Sequence, residues 1–110
     1  MSEHVNYYDI FKKPEDLKIA ALIQRRRLQI LIHSCLYYHM NETIVSDKQY
    51  DTWARELQKL QEEHKEIASK VCWADTFEDY DSSTGFDLPL TDEWVINKAN
   101  YILKQHKEGL

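Results

Sequence analysis

Glycine and proline are scarce in this chain, with two of each in 110 residues. So few backbone breakers exclude a turn-rich fold and favour long helices. Cysteine is equally scarce. Cys35 and Cys72 share no short metal-ligand spacing and are too few for a disulfide framework. Cys35 falls inside an apolar helical pattern and reads as a reduced core residue. Positive charge is in deficit, with 14 Lys and Arg against 19 Asp and Glu and a net charge of -5. That argues against sequence-independent nucleic-acid binding, which depends on basic residues neutralising phosphates. No apolar run approaches the roughly 18 residues needed to cross a bilayer. The N-terminus lacks a charged-then-apolar signal pattern. The expectation is a cytoplasmic protein without membrane contact. His4, His33, His39, His64 and His106 are dispersed, so no metal site is expected.

What is present is helical periodicity. Hydrophobic residues make up 43% and charged residues 30% of the chain, the balance of an ordinary folded protein. The length points to a single domain, residues 1–110. Val5, Tyr7, Tyr8, Ile10 and Phe11 make the first dozen residues too aromatic for a free tail and predict an arm docked on the body. Pro14, followed by Glu15 and Asp16, suits a helix start. From there to about His39 the pattern predicts one long helix, with Leu17, Ala20 or Ala21, Leu28, Leu31, Ile32 and Cys35 on its apolar face. The run Arg25–Arg27 reads as a solvated or salt-bridged face, or alternatively as a phosphate or carboxylate contact.

A second helix is announced by Ser46 as N-cap, with Gln49 three positions on to complete a capping box. Val45 and Tyr50 are placed for a hydrophobic staple. Tyr50, Trp53 or Ala54, Leu57, Leu60, His64 and Ile67 form its face, and its end is expected near Ala68. Lys70 to Tyr80 has the amphipathicity of a short helix. Asp81 to Leu90 has loop composition, with Phe86, Leu88 and Leu90 as anchors. Thr91 is the predicted cap of a last helix with Trp94 or Val95, Ala99, Ile102 and Leu103 as its buried stripe. The predicted fold is all-α: an antiparallel helical hairpin plus a C-terminal helix, packed as a small bundle.

The hairpin turn concentrates the chemistry. Asp47, Tyr50 and Asp51 stand at i, i+3 and i+4 and share one side of a helix start. Tyr37 and Tyr38 end the preceding helix. The hairpin brings the two sets together as a cup with aromatic walls and two carboxylates, suited to a flat cationic ring. Each residue also has a plain structural use: Asp47 as a helix-start charge, Tyr50 as a staple, and Tyr37 or Tyr38 as core.

The stretch from Tyr37 to His64 resembles the N-terminal helical subdomain, domain Ia, of bacterial NAD-dependent DNA ligases. Their signature is a Tyr-Tyr or Tyr-His pair, then Ile-Ser-Asp-x-x-Tyr-Asp, then Arg-Glu-Leu-x-x-Leu-Glu-x-x-His. Here the chain reads Tyr37-Tyr38, Val45-Ser46-Asp47-Lys48-Gln49-Tyr50-Asp51, then Arg55-Glu56-Leu57-Gln58-Lys59-Leu60-Gln61-Glu62-Glu63-His64. The resemblance covers about residues 28–67. It implies recognition of the nicotinamide mononucleotide (NMN) half of NAD. The tyrosines would pack on the nicotinamide and the acids would hold the ring and ribose side. By position those roles fall on Tyr37, Tyr38, Asp47, Tyr50 and Asp51. Thr43 stands where the family usually has proline, and Asn41 replaces an acidic residue.

Ligase chemistry needs a nucleophilic lysine in a Lys-x-Asp-Gly motif. These 110 residues contain none, nor a four-cysteine zinc site. The expectation is therefore a non-catalytic, stand-alone relative of phage or prophage type that binds NMN or NAD. The competing expectation is a protein-interaction factor acting on a host bacterial protein or a ligase adenylation domain. It draws on the acidity of the chain and the aromatic-rich segment from Trp73 to Phe86.

Overall fold

A computed structural model describes residues 7–82 and 88–109. Its helices are α1 (Tyr7–Ile10), α2 (Pro14–Ser34), α3 (Asp47–Glu63), α4 (Lys65–Ala68) and α5 (Glu93–Glu108), with a π-helical turn, Cys35–His39, extending α2. Among the described residues there is no strand, and the fold is a small all-α bundle, as the periodicity predicts.

Helix α2 starts at Pro14, whose missing N–H costs nothing in a first turn, with Glu15 and Asp16 beside it. Ala20, Ile23, Ile30, Leu31, Ile32, Cys35 and Leu36 are buried along it. Ile23 and Ile30 were not assigned to the apolar face by sequence, whereas Leu28 is only half-buried and Ala21 is exposed. The α-helix does not continue to His39 as expected. From Cys35 it widens into the π turn, and Asn41 then leaves it with φ 56°. Asparagine tolerates this left-handed conformation better than most residues. The departure at Asn41 thus serves the turn.

Helix α3 opens at Ser46, whose Oγ accepts from the Gln49 N–H at 3.1 Å. Side-chain pairs along the interface run in opposite order on the two helices: Ser34 with Tyr50, His33 with Trp53, Arg27 with Gln61. The hairpin is therefore antiparallel. Ala54 and Leu57 are its buried contribution. The predicted end at Ala68 is reached only after an interruption at His64, where φ -132° and ψ 56° break the α-helix before α4. At α5 the cap is Asp92 and not Thr91. Its carboxylate accepts from the backbone N–H groups of Trp94 at 2.9 Å and Val95 at 3.3 Å. Val95 and Ala99 are buried, while Trp94, Ile102 and Leu103 pack on the core from the edge.

The arm docks as expected. Phe11 is buried, and the Tyr7 hydroxyl accepts from the Cys72 N–H at 3.0 Å. Burial, reinforced by Cys72, pushes the Tyr7 phenol up to about 12. Val5 and Phe86 lie outside the described residues.

The basic run is the main correction. Arg25 is exposed, and Arg26 reaches Glu56 at 3.2 Å. Arg27, however, is only 2% exposed. Its guanidinium donates to the carbonyls of Ala68 (2.9 Å), Val71 (3.1 Å) and Cys72 (3.0 Å) and to Gln61 Oε1 (2.9 Å). It also stands 5.6 Å from the ring centre of Phe77. Burial lowers its pKa to about 10, which leaves it charged at neutral pH. Lys70 to Tyr80 is not the predicted helix but a succession of turns wrapped on this cation. Trp73 takes φ 69° there, a conformation costly for a bulky side chain.

Candidate functional site

Tyr37 and Tyr38 sit in the π turn, and Asp47, Tyr50 and Asp51 lie on the first turn and a half of α3. All five line one cavity of about 380 Å³ at the closed end of the hairpin. Its remaining lining is His33, Ser34, Glu42, Thr43, Ile44, Val45 and Ser82. The volume lies within the range of small-ligand sites, about 300–1,000 Å³.

Tyr37 and Tyr38 are 54% and 50% exposed, so neither is a core residue. Their rings meet edge to face, with centroids 4.8 Å apart at 86°. That arrangement leaves ring surface for a ligand.

Tyr50 is fixed differently. It packs against the core, and its hydroxyl shares a 2.6 Å hydrogen bond with the buried Ser34. Burial raises its pKa, opposed by the bond to Ser34 and assisted by the neighbouring Tyr38 and Asp51. The phenol stays protonated and serves as a polar, uncharged wall.

Three carboxylates border the cavity, not the predicted two, since Glu42 joins Asp47 and Asp51. Glu42 is held at the turn. Its N–H donates to the Leu36 carbonyl at 2.7 Å, and its carboxylate meets Lys107 of α5 at 3.4 Å. The sequence offered little sign of this, because Glu42 lies in the turn itself and owes its place to the π-helical geometry before it. Ser82 was missed for a different reason, its distance in sequence from the hairpin turn. Its N–H donates to Gln58 Oε1 at 2.9 Å, which fixes that edge of the cavity.

His33 lines the floor and lies against Trp53, ring centroids 5.4 Å apart. Burial lowers its pKa below the usual 6.5. As the pH falls below about 6.5 the unfolded chain takes up this proton before the folded one does. Stability from neutral His33 is therefore present above about pH 6.5 and declines as the solution is acidified toward the folded value. Urea unfolding at a series of pH values should show that decline reduced in His33→Gln. An unchanged acid dependence in the variant would assign it to other groups. Among the described residues no cluster of metal-binding side chains occurs.

These elements define a helical-hairpin domain with an aromatic and acidic cavity at its turn. Residues 16–70 match the family described as DNA ligase-like, N-terminal NAD+-binding domain, and the chain belongs to that family. The match begins well before the residue 28 at which the resemblance was drawn from sequence. A DNA ligase of Bacteroides fragilis is 46% identical over 50 residues, which cover 46% of this chain and 8% of that protein. No solved structure matches.

Proposed function

We propose that this chain is a nicotinamide-nucleotide recognition module that binds NMN, or the NMN half of NAD, in the cavity at the hairpin turn. The observation that carries this reading is that Tyr37, Tyr38, Asp47, Tyr50 and Asp51 all line one cavity. Half-exposed tyrosine rings offer faces to a pyridinium. Asp47 and Asp51 are exposed at its mouth and supply acceptors for ring amide and ribose hydroxyls. Family membership supports the same ligand class. The module recognises and does not catalyse, for no Lys-x-Asp-Gly lysine occurs in these 110 residues. A role of phage or prophage type belongs to the same proposal and rests on the resemblance.

The protein-interaction reading drew on the acidity of the chain and on the Trp73–Phe86 aromatics. Within the described part these are turned inward: Phe77 is buried, Trp73 packs beside Trp94, and Tyr80 lies edge-on to Phe77. They are committed to the fold, which leaves the cavity as the better-supported site.

Isothermal titration with NMN and with NAD tests the proposal. Saturable binding is expected for both. Tyr37→Ala should weaken it roughly two- to thirtyfold, the range of a cation–π contact worth about 0.5–2 kcal/mol. Asp51→Ala should weaken it as well. Both side chains are exposed, so circular dichroism should show intact folds. Absence of binding at millimolar ligand, or affinity unchanged in both variants, would reject the assignment.

A further inference from the structure

The cavity is one-sided in charge. Glu42, Asp47 and Asp51 border it, and its lining includes no lysine or arginine among the described residues. His33 adds no positive charge near neutral pH, because burial holds its pKa down. Ser82 belongs to a stretch, residues 71–97, with seven Asp and Glu and no Lys or Arg. Lys107 reaches the rim, but its Nζ is 3.4 Å from Glu42 Oε1, so that charge is already taken up by a lining carboxylate.

A nicotinamide nucleotide carries opposite charges at its two ends. The oxidised ring is a cation, which tyrosine faces and carboxylates attract. The 5′-phosphate is an anion of up to about two charges, for which this lining offers hydroxyl groups but no cationic side chain among the described residues. We propose that the cavity selects the pyridinium nucleoside and discriminates against its 5′-phosphate, so that the ligand class it holds best is a cationic pyridinium riboside. This rests on the reading of the cavity as a nicotinamide site. Ring and ribose supply the affinity. The phosphate is left in solvent, repelled by three carboxylates across a screened distance.

Isothermal titration of the full chain with nicotinamide riboside and with NMN tests this, at about 20 mM and about 300 mM sodium chloride. The riboside should bind roughly three- to tenfold more tightly at low salt, with the gap closing at high salt as screening shortens the reach of the carboxylates. Glu42→Gln should narrow the gap. Lys107→Ala, which bares the Glu42 charge, should widen it. A role in folding alone would not move the ratio in opposite directions. NMN binding as tightly as the riboside, or more tightly, at low salt would overturn the inference while leaving the nicotinamide site in place. Loss of that NMN affinity in Lys107→Ala would then identify Lys107 as the phosphate contact. If neither compound binds, the nicotinamide assignment itself fails.

Discussion

Replacing Arg27 with methionine is expected to lower the unfolding free energy by about 3–5 kcal/mol, read from urea denaturation followed by circular dichroism. Methionine fills much of the same volume, so the loss is one of bonding. Three main-chain carbonyls, those of Ala68, Val71 and Cys72, and the Gln61 amide oxygen all lose the guanidinium as donor, and the Ala68 carbonyl keeps only a long bond from the Val71 N–H at 3.4 Å. Each buried acceptor left unpaired costs about 1–3 kcal/mol, less whatever water enters to replace the guanidinium. A domain of this size has roughly 5–15 kcal/mol in hand, so the variant is marginal. Arg27→Lys keeps the charge but replaces a planar fork of five donors by one ammonium. It should fall between wild type and Arg27→Met and provides the measurement if the latter does not fold. A loss under about 1 kcal/mol in both would mean that the carbonyls are readily rehydrated and that the arginine is not what holds the segment.

Truncation of Phe77 to alanine should cost a similar amount, about 3–5 kcal/mol, for a different reason. The ring is fully buried, lies under the Arg27 guanidinium and meets Tyr80 at 5.2 Å. Its removal leaves a cavity that the surrounding turns, pinned by hydrogen bonds, collapse into only partly. Phe77→Leu retains most of the volume and should cost less than about 1.5 kcal/mol. The two sites share the cation–π contact and one segment of chain. The Arg27→Met, Phe77→Ala double variant should therefore lose less than the sum of the singles, with a coupling of about 0.5–3 kcal/mol. Strict additivity would show that cation and ring act independently.

The parts of the structure legible in sequence are those set by local rules. Ser46 and Gln49 marked the start of α3, and Pro14, Glu15 and Asp16 that of α2, because caps and first-turn charges act within four residues. The five cavity residues could be grouped for the same reason. Three share a helix side by spacing, and the other two precede them across a short turn. What could not be read was set by distant backbone. Arg27 sits in a run of three arginines that looks solvent-facing. Three of its four partners are main-chain carbonyls more than 40 positions away, and a carbonyl leaves no trace in residue identity. The chain after His64 directs the carbonyls of Ala68, Val71 and Cys72 toward that cation. Glu42 was missed because a helix read as regular α through His39 gives the turn a different exit. Thr91 reads as the cap and Asp92 is the cap observed, because either residue type caps a helix well and only the backbone distinguishes them.

The left-handed Trp73 lies within a segment that local preference opposes. Its shape is imposed from outside: by Tyr7 and Arg27, which hold Cys72 across 65 and 45 positions of sequence, and by Trp94, whose ring lies 6.1 Å from that of Trp73. Chain entropy makes such remote closures the late ones in folding, since loops of that length must be closed before any contact rewards them. Ser82 lies just beyond this segment. The turn side of the cavity, Tyr37 to Asp51, is short-range and quickly assembled, but the edge that Ser82 contributes is held by Gln58 from 24 positions away and follows a segment closed over longer loops still.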